Sequence, residues 1–111
     1  MTLEEIENTI IERLEAELSV TDPNYSHDLL EVKVKSVLDE AQTIRGYTNY
    51  PQEFIEEDMT KGIPIFMRVS QYDYEKIGAS GQTQYSADGE NIQYQDRSKL
   101  WYGWIPLARI T

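Results

Sequence analysis

Apolar residues return every three or four positions through the first part of the chain, at Leu3, Ile6, Ile10, Leu14 and Leu18 and again at Leu30, Val34, Val37, Leu38, Ala41 and Ile44. With about 3.6 residues per helical turn, each set falls on one stripe, so the pattern predicts two amphipathic helices that must bury their stripes against other elements. Thr2 and Glu5 have capping-box spacing and start the first helix, predicted over residues 3–19. The link Val20 to Tyr25 contains Asp22-Pro23-Asn24, which is turn chemistry, and Ser26 is the N-cap expected for a second helix running to Arg45. Gly46 then stands where a left-handed C-terminal cap belongs. Pro51 suits the first turn of a third helix, with Phe54, Ile55 and Met59 inward and Glu53, Glu56, Glu57 and Asp58 outward. Pro64 cannot donate to the carbonyl of Thr60, so a kink or break is expected before the pattern resumes at Ile65, Phe66, Val69, Tyr72 and Ile77. Gly78 ends the helical part.

The fold class that follows is mainly α: a small antiparallel helical bundle over residues 1–78, with a C-terminal arm over residues 79–111 that contains a short β-hairpin. The hairpin is read from Asp88-Gly89, which suits a two-residue turn whose central residues both need positive φ. Counting outward from that turn puts Thr83, Tyr85, Ile92 and Tyr94 on one face and Gln84, Ser86, Asn91 and Gln93 on the other. A lone hairpin is at best marginally stable, so its apolar face must lie on the parent domain or on another subunit.

A chain of 111 residues makes one domain, able to bury roughly 65% of its unfolded surface. The charge is uneven: residues 1–60 carry 15 acids and 4 bases, a net −11, and residues 61–111 carry 5 acids and 6 bases, a net +1, together the −10 of the whole chain. Such a chain is poorly suited to gripping DNA through phosphate, where affinity comes from lysine and arginine. The simplest account of Glu4, Glu5, Glu7, Glu12, Glu15 and Glu17 is the solvated face of a helix. No secretory or membrane-spanning run is seen, and there is no cysteine, so a reducing cytoplasm is the expected compartment.

The residues offer no catalytic set. His27 is the only histidine and has no partner for a zinc site. Glu56-Glu57-Asp58 lacks the alternating ligands of a calcium loop, and adjacent helical positions point apart. Gly78-Ala79-Ser80-Gly81 matches a backbone-clamping GxxG but lacks the basic residues such a clamp needs, so helix termination and a hinge explain it. Asn24-Tyr25-Ser26 is a glycosylation sequon without a secretory route. No enzyme activity, cofactor or metal is expected. Trp101, Tyr102 and Trp104 are of the type that crowds interface centres, and equally of the type that caps a chain's own core.

Asp28-Leu29-Leu30 entering a helix, Ala41 through Ile44 to Tyr47-Thr48-Asn49, Tyr72-Asp73-Tyr74, Ile77-Gly78-Ala79-Ser80-Gly81, Ser86-Ala87-Asp88-Gly89 and Tyr94 together resemble the head-tail connector family of tailed phages and prophages, the small head-completion proteins under the portal. The likeness runs from about residue 26 to the end, and departs from the family's usual pattern at Pro64 and in the Trp101-Tyr102-Gly103-Trp104 ending. The resemblance implies a helical adaptor of the virion neck, made in the host cytoplasm. It would form a ring, dodecameric in the virion, beneath the portal protein, extend the DNA channel and offer a surface to a downstream head-completion or tail protein. Genomic DNA would only pass through. On that reading Tyr85, Ile92, Tyr94, Arg97, Lys99, Trp101, Trp104 and Arg109 dock on the portal or a neighbouring subunit, and Glu12, Glu15 and Glu17 line the channel, where like charge keeps DNA mobile. The reading from another class is an acidic DNA mimic that inhibits a host nucleic-acid-binding protein.

Overall fold

A computed structural model describes residues 1–78 and 97–107. Four helices occupy the first of these stretches: α1 Leu3–Thr21, α2 His27–Arg45, α3 Gln52–Lys61 and α4 Ile63–Gly78. A short 3-10 helix, Arg97–Trp101, opens the second. The mainly helical character expected from the two stripes is what the described residues show. The Asp88-Gly89 hairpin, with Tyr85, Ile92 and Tyr94, lies outside them, as does Arg109.

The α1 cap is the predicted box: Thr2 Oγ1 accepts from the Glu5 amide at 3.1 Å and Glu5 Oε1 accepts from the Thr2 amide at 2.8 Å. The helix runs two residues beyond the predicted Ser19 and stops at Asp22, held in an extended conformation (φ −111°, ψ 109°) by the Pro23 that follows. Ile6, Ile10, Ile11, Leu14 and Leu18 are its buried stripe. Ser26 caps α2 by accepting from the Leu29 amide at 3.2 Å, and Gly46 ends it in the left-handed conformation (φ 68°). Leu30, Val34, Val37, Leu38 and Ala41 are buried, with Ile44 partly so. α2 packs against both α1 and α4, and α3 lies on α1 and α4.

At α3 the structure corrects the sequence reading on two residues. Phe54, expected inward, is 38% exposed, while Asp58, expected outward, is buried. The reason is a polar partner that helical periodicity cannot see. The Arg45 guanidinium, in the last turn of α2, forks onto Asp58 at 2.9 and 3.1 Å, and the Tyr47 hydroxyl donates to the same carboxylate at 2.6 Å. With Asp58 drawn in beside Met59 and Ile55, the helix phase turns Phe54 out.

The break between α3 and α4 falls at Gly62, two residues before Pro64. The Gly62 amide bonds back to Met59 at 2.9 Å, and its carbonyl accepts from Phe66 at 2.9 Å to start α4. Glycine is required for space: a Cβ here would overlap the Phe66 ring and stand 2.8 Å from Trp104 Cζ3.

Residues 97–107 pack on the helices. Trp101, Trp104 and Leu107 are buried, and both tryptophans lie in the same core as Phe66. Phe66 meets Trp104 edge-on at 5.0 Å and Trp101 at 6.1 Å. The Trp104 indole N–H donates to the Ala41 carbonyl at 2.9 Å. Residues 97–107 are therefore part of the helical body.

Candidate docking surfaces

The acidic helix comes first. Glu12 and Glu17 are exposed, five residues apart and so about 140° apart around α1. Glu15 is turned instead toward the α1–α2 link, where its carboxylate meets His27 Nδ1 at 3.2 Å. The three carboxylates assigned to a channel wall thus leave α1 in different directions, and one of them is engaged within the chain. Burial raises the Glu7 carboxyl above its usual range, partly offset by Lys35 at 3.9 Å.

The α1–α2 link itself is held from α4. The Tyr74 hydroxyl accepts from the Ser26 amide at 2.9 Å and donates to Asp22 Oδ2 at 3.1 Å, while its ring lies 6.0 Å from Tyr25. Burial pushes the Tyr74 phenol up, and pushes that of Tyr25, near the Glu15 carboxylate, up to about 12. One residue before Tyr74, Asp73 receives two bonds from Arg97 at 2.8 Å each, and Arg97 also forks onto Glu40 of α2 at 2.9 and 3.1 Å. Tyr72-Asp73-Tyr74, which with the glycine pair and the Asp-Gly turn makes the most specific part of the sequence resemblance, is in this way the junction of α4 with the α1–α2 link, with α2 and with the C-terminal segment 97–107.

Of the residues assigned to portal or subunit contact, Arg97, Trp101 and Trp104 are used inside the protein. Lys99 is exposed. Tyr102, the third member of the aromatic cluster with Trp101 and Trp104, is 88% exposed, and Ile105 is 58% exposed.

A surface that sequence reasoning missed forms at the α2–α3 corner. Tyr50 and Phe54, each 38% exposed, stack at 5.0 Å with their planes 22° apart. Tyr47 stands edge-on to both at 6.4 Å. Its hydroxyl is the one bonded to Asp58; burial first, then Asp58, pushes that phenol well above the ordinary tyrosine value. Arg45 completes the support, lying 4.1 Å over the Trp104 ring and donating to the Ile105 carbonyl at 2.9 Å. The Tyr47-x-x-Tyr50-x-x-x-Phe54 spacing is visible in the sequence, but only the inward turn of Asp58 shows that it faces out.

Among the described residues no cluster of His, Cys, Asp or Glu could hold a metal ion, and no helix is long and apolar enough to cross a membrane. Comparisons with protein-family models, curated proteins and solved structures found nothing that matches this chain.

Proposed function

We propose that this chain is a head-tail connector subunit of a tailed phage or prophage, assembling as a ring beneath the portal, extending the DNA channel and presenting a surface to the next head-completion or tail protein. The observation that carries the reading is the part played by Tyr72-Asp73-Tyr74. Two of the residues that carry the resemblance to connectors also tie the body together, Tyr74 on Asp22 and Ser26 and Asp73 on Arg97. A ring built from heterologous contacts needs two different patches on each subunit. The helical body and the sequence bearing Tyr85, Ile92 and Tyr94 supply two surfaces of different chemistry.

Within this proposal docking falls to Lys99, Tyr102 and the segment bearing Tyr85, Ile92, Tyr94 and Arg109. Trp101 and Trp104 keep the core role the structure gives them. Glu12 and Glu17 remain the α1 carboxylates able to face a channel. The test is native mass spectrometry of the purified chain, alone and with the portal protein encoded by the same phage or prophage, at several salt concentrations. Joining the portal in matched stoichiometry is the expected result. A chain that ignores the portal and instead binds a basic host DNA-binding protein in a salt-sensitive manner would overturn the reading in favour of the acidic mimic.

A further inference from the structure

We propose that the Tyr50–Phe54 corner is a docking surface for a cationic protein segment, one that lays an arginine side chain on the stacked rings and pairs it with Glu53 or Glu57. The inference stands on the α2–α3 corner alone and does not depend on the connector reading.

Three observations lead to it. First, the two rings are exposed yet fixed: they stack on each other, and Tyr47, bonded through its hydroxyl to the buried Asp58, braces both edge-on. Aromatic side chains held in this way lose little conformational freedom on binding, which is what makes them effective interface anchors. Second, carboxylates outnumber cations beside them, Glu53, Glu56 and Glu57 lining one groove with Lys61 and the N-terminal Met1. Glu53, exposed, and Glu57 lie on the first two turns of α3, one beside Phe54 in sequence and the other three residues on, hence next to it on the helix surface. Neither carboxylate has an ion-pair partner among the described residues, whereas Glu56 is engaged by Gln52 at 3.1 Å. Third, the molecule displays the matching chemistry within its own body. Arg45 stacks 4.1 Å over Trp104 while forking onto Asp58. A guanidinium suits an aromatic face next to a carboxylate because it is flat, weakly hydrated and bidentate, and a lysine ammonium lacks the fork.

The same charge argues against the other occupants. A two-fold contact between copies would set Glu53 and Glu57 against their own counterparts in a chain of net charge −10. Nucleic acid would meet the carboxylates with its phosphates.

The test uses the full-length, nitrogen-15-labelled chain titrated with a short synthetic peptide carrying two arginines beside a leucine, read by amide chemical shifts. Saturable shifts centred on Tyr50, Glu53, Phe54 and Glu57 are expected, weakening as salt is raised. Phe54→Ser should reduce affinity about tenfold or more, the loss of a single hot-spot anchor. The E53Q/E57Q variant, which keeps both side-chain shapes, should weaken binding at low salt and bring it close to the wild-type value at high salt. Replacing the peptide's arginines by glutamine should abolish the shifts. The proposal is overturned if Phe54→Ser binds as tightly as wild type, if the shifts spread equally over the α1 carboxylates, or if sedimentation shows the free chain already paired through this face.

Discussion

Trp104 provides the sharpest measure of whether the C-terminal segment is core or arm. The indole is 5% exposed, meets Phe66 at 5.0 Å, lies under Arg45 at 4.1 Å and donates to the Ala41 carbonyl at 2.9 Å. Truncation of a buried tryptophan to alanine costs about 3–5 kcal/mol in lost transfer energy and cavity formation. The site has limited means of collapsing to fill the gap, because Gly62 has no side chain to move in. Trp104→Ala should therefore fall near the middle of that range, about 4 kcal/mol. For a domain of this size about 4 °C of melting temperature is lost per kcal/mol, so a fall of roughly 16 °C is expected. Trp104→Phe keeps most of the ring and removes the N–H donor; a net hydrogen bond of about 1 kcal/mol predicts a fall of roughly 4 °C. Thermal melts followed by circular dichroism in the far ultraviolet measure both. If Trp104→Ala melted within about 2 °C of wild type, the indole would contribute nothing to the core and the segment would be an arm after all.

Asp58→Asn leaves the Arg45 guanidinium buried with a neutral partner, and removing one member of a buried pair costs about 3–5 kcal/mol; urea titration should place the loss near ~3 kcal/mol, because the asparagine oxygen still accepts one bond. Combining Arg45→Met with Asp58→Met should recover most of it, and recovery of none would mean that the pair is not the source. At alkaline pH the three raised phenols of Tyr25, Tyr47 and Tyr74 stay protonated in the folded chain while their unfolded counterparts ionise near pH 10, so the unfolded state binds fewer protons and stability falls as pH rises from about 10 toward 12. Absorbance titration of the eight tyrosines should show a fraction ionising only as the fold is lost, and uniform ionisation at about pH 10 with intact circular dichroism would contradict it. Truncation after Gly78, which removes Trp101 and Trp104 from the core, should lower the melting temperature as severely as Trp104→Ala or more.

What the sequence made legible was decided by period and by caps. The stripes from Ile6 to Leu18 and from Leu30 to Ala41 are buried as read, and Thr2, Glu5, Ser26 and Gly46 cap where their chemistry places them. These are local signals, complete within a few residues. Asp58 and Phe54 run against the helical pattern because their facing is decided by Arg45, 13 residues before Asp58, and no such pattern encodes a charge partner on another helix. Trp104 is ambiguous in sequence for the same reason: its chemistry fits an interface and a core equally, and what selects the core is the pocket left by Gly62 beside Phe66. The Tyr74 contacts to Asp22 and Ser26 span 52 and 48 residues, beyond any local signal.

That division bears on how the molecule can act. Arg97 joins Asp73 of α4 to Glu40 of α2, with each carboxylate meeting the guanidinium through two bonds and Arg97 and Asp73 largely shielded from water. The bonds to the two acids raise the affinity of Arg97 for its proton further, so this anchor keeps its charge throughout the physiological pH range. Arg97 thus ties the second described stretch to Asp73, near the end of α4. The aromatic corner has a separate polar connection through Arg45, Asp58 and Tyr47. The two anchors can then be perturbed independently: Phe54→Ser without loosening Arg97, and Arg97→Met without disturbing Tyr50. A subunit that must hold different neighbours at once requires surfaces with this kind of independence, because energies at sites that share no partners add.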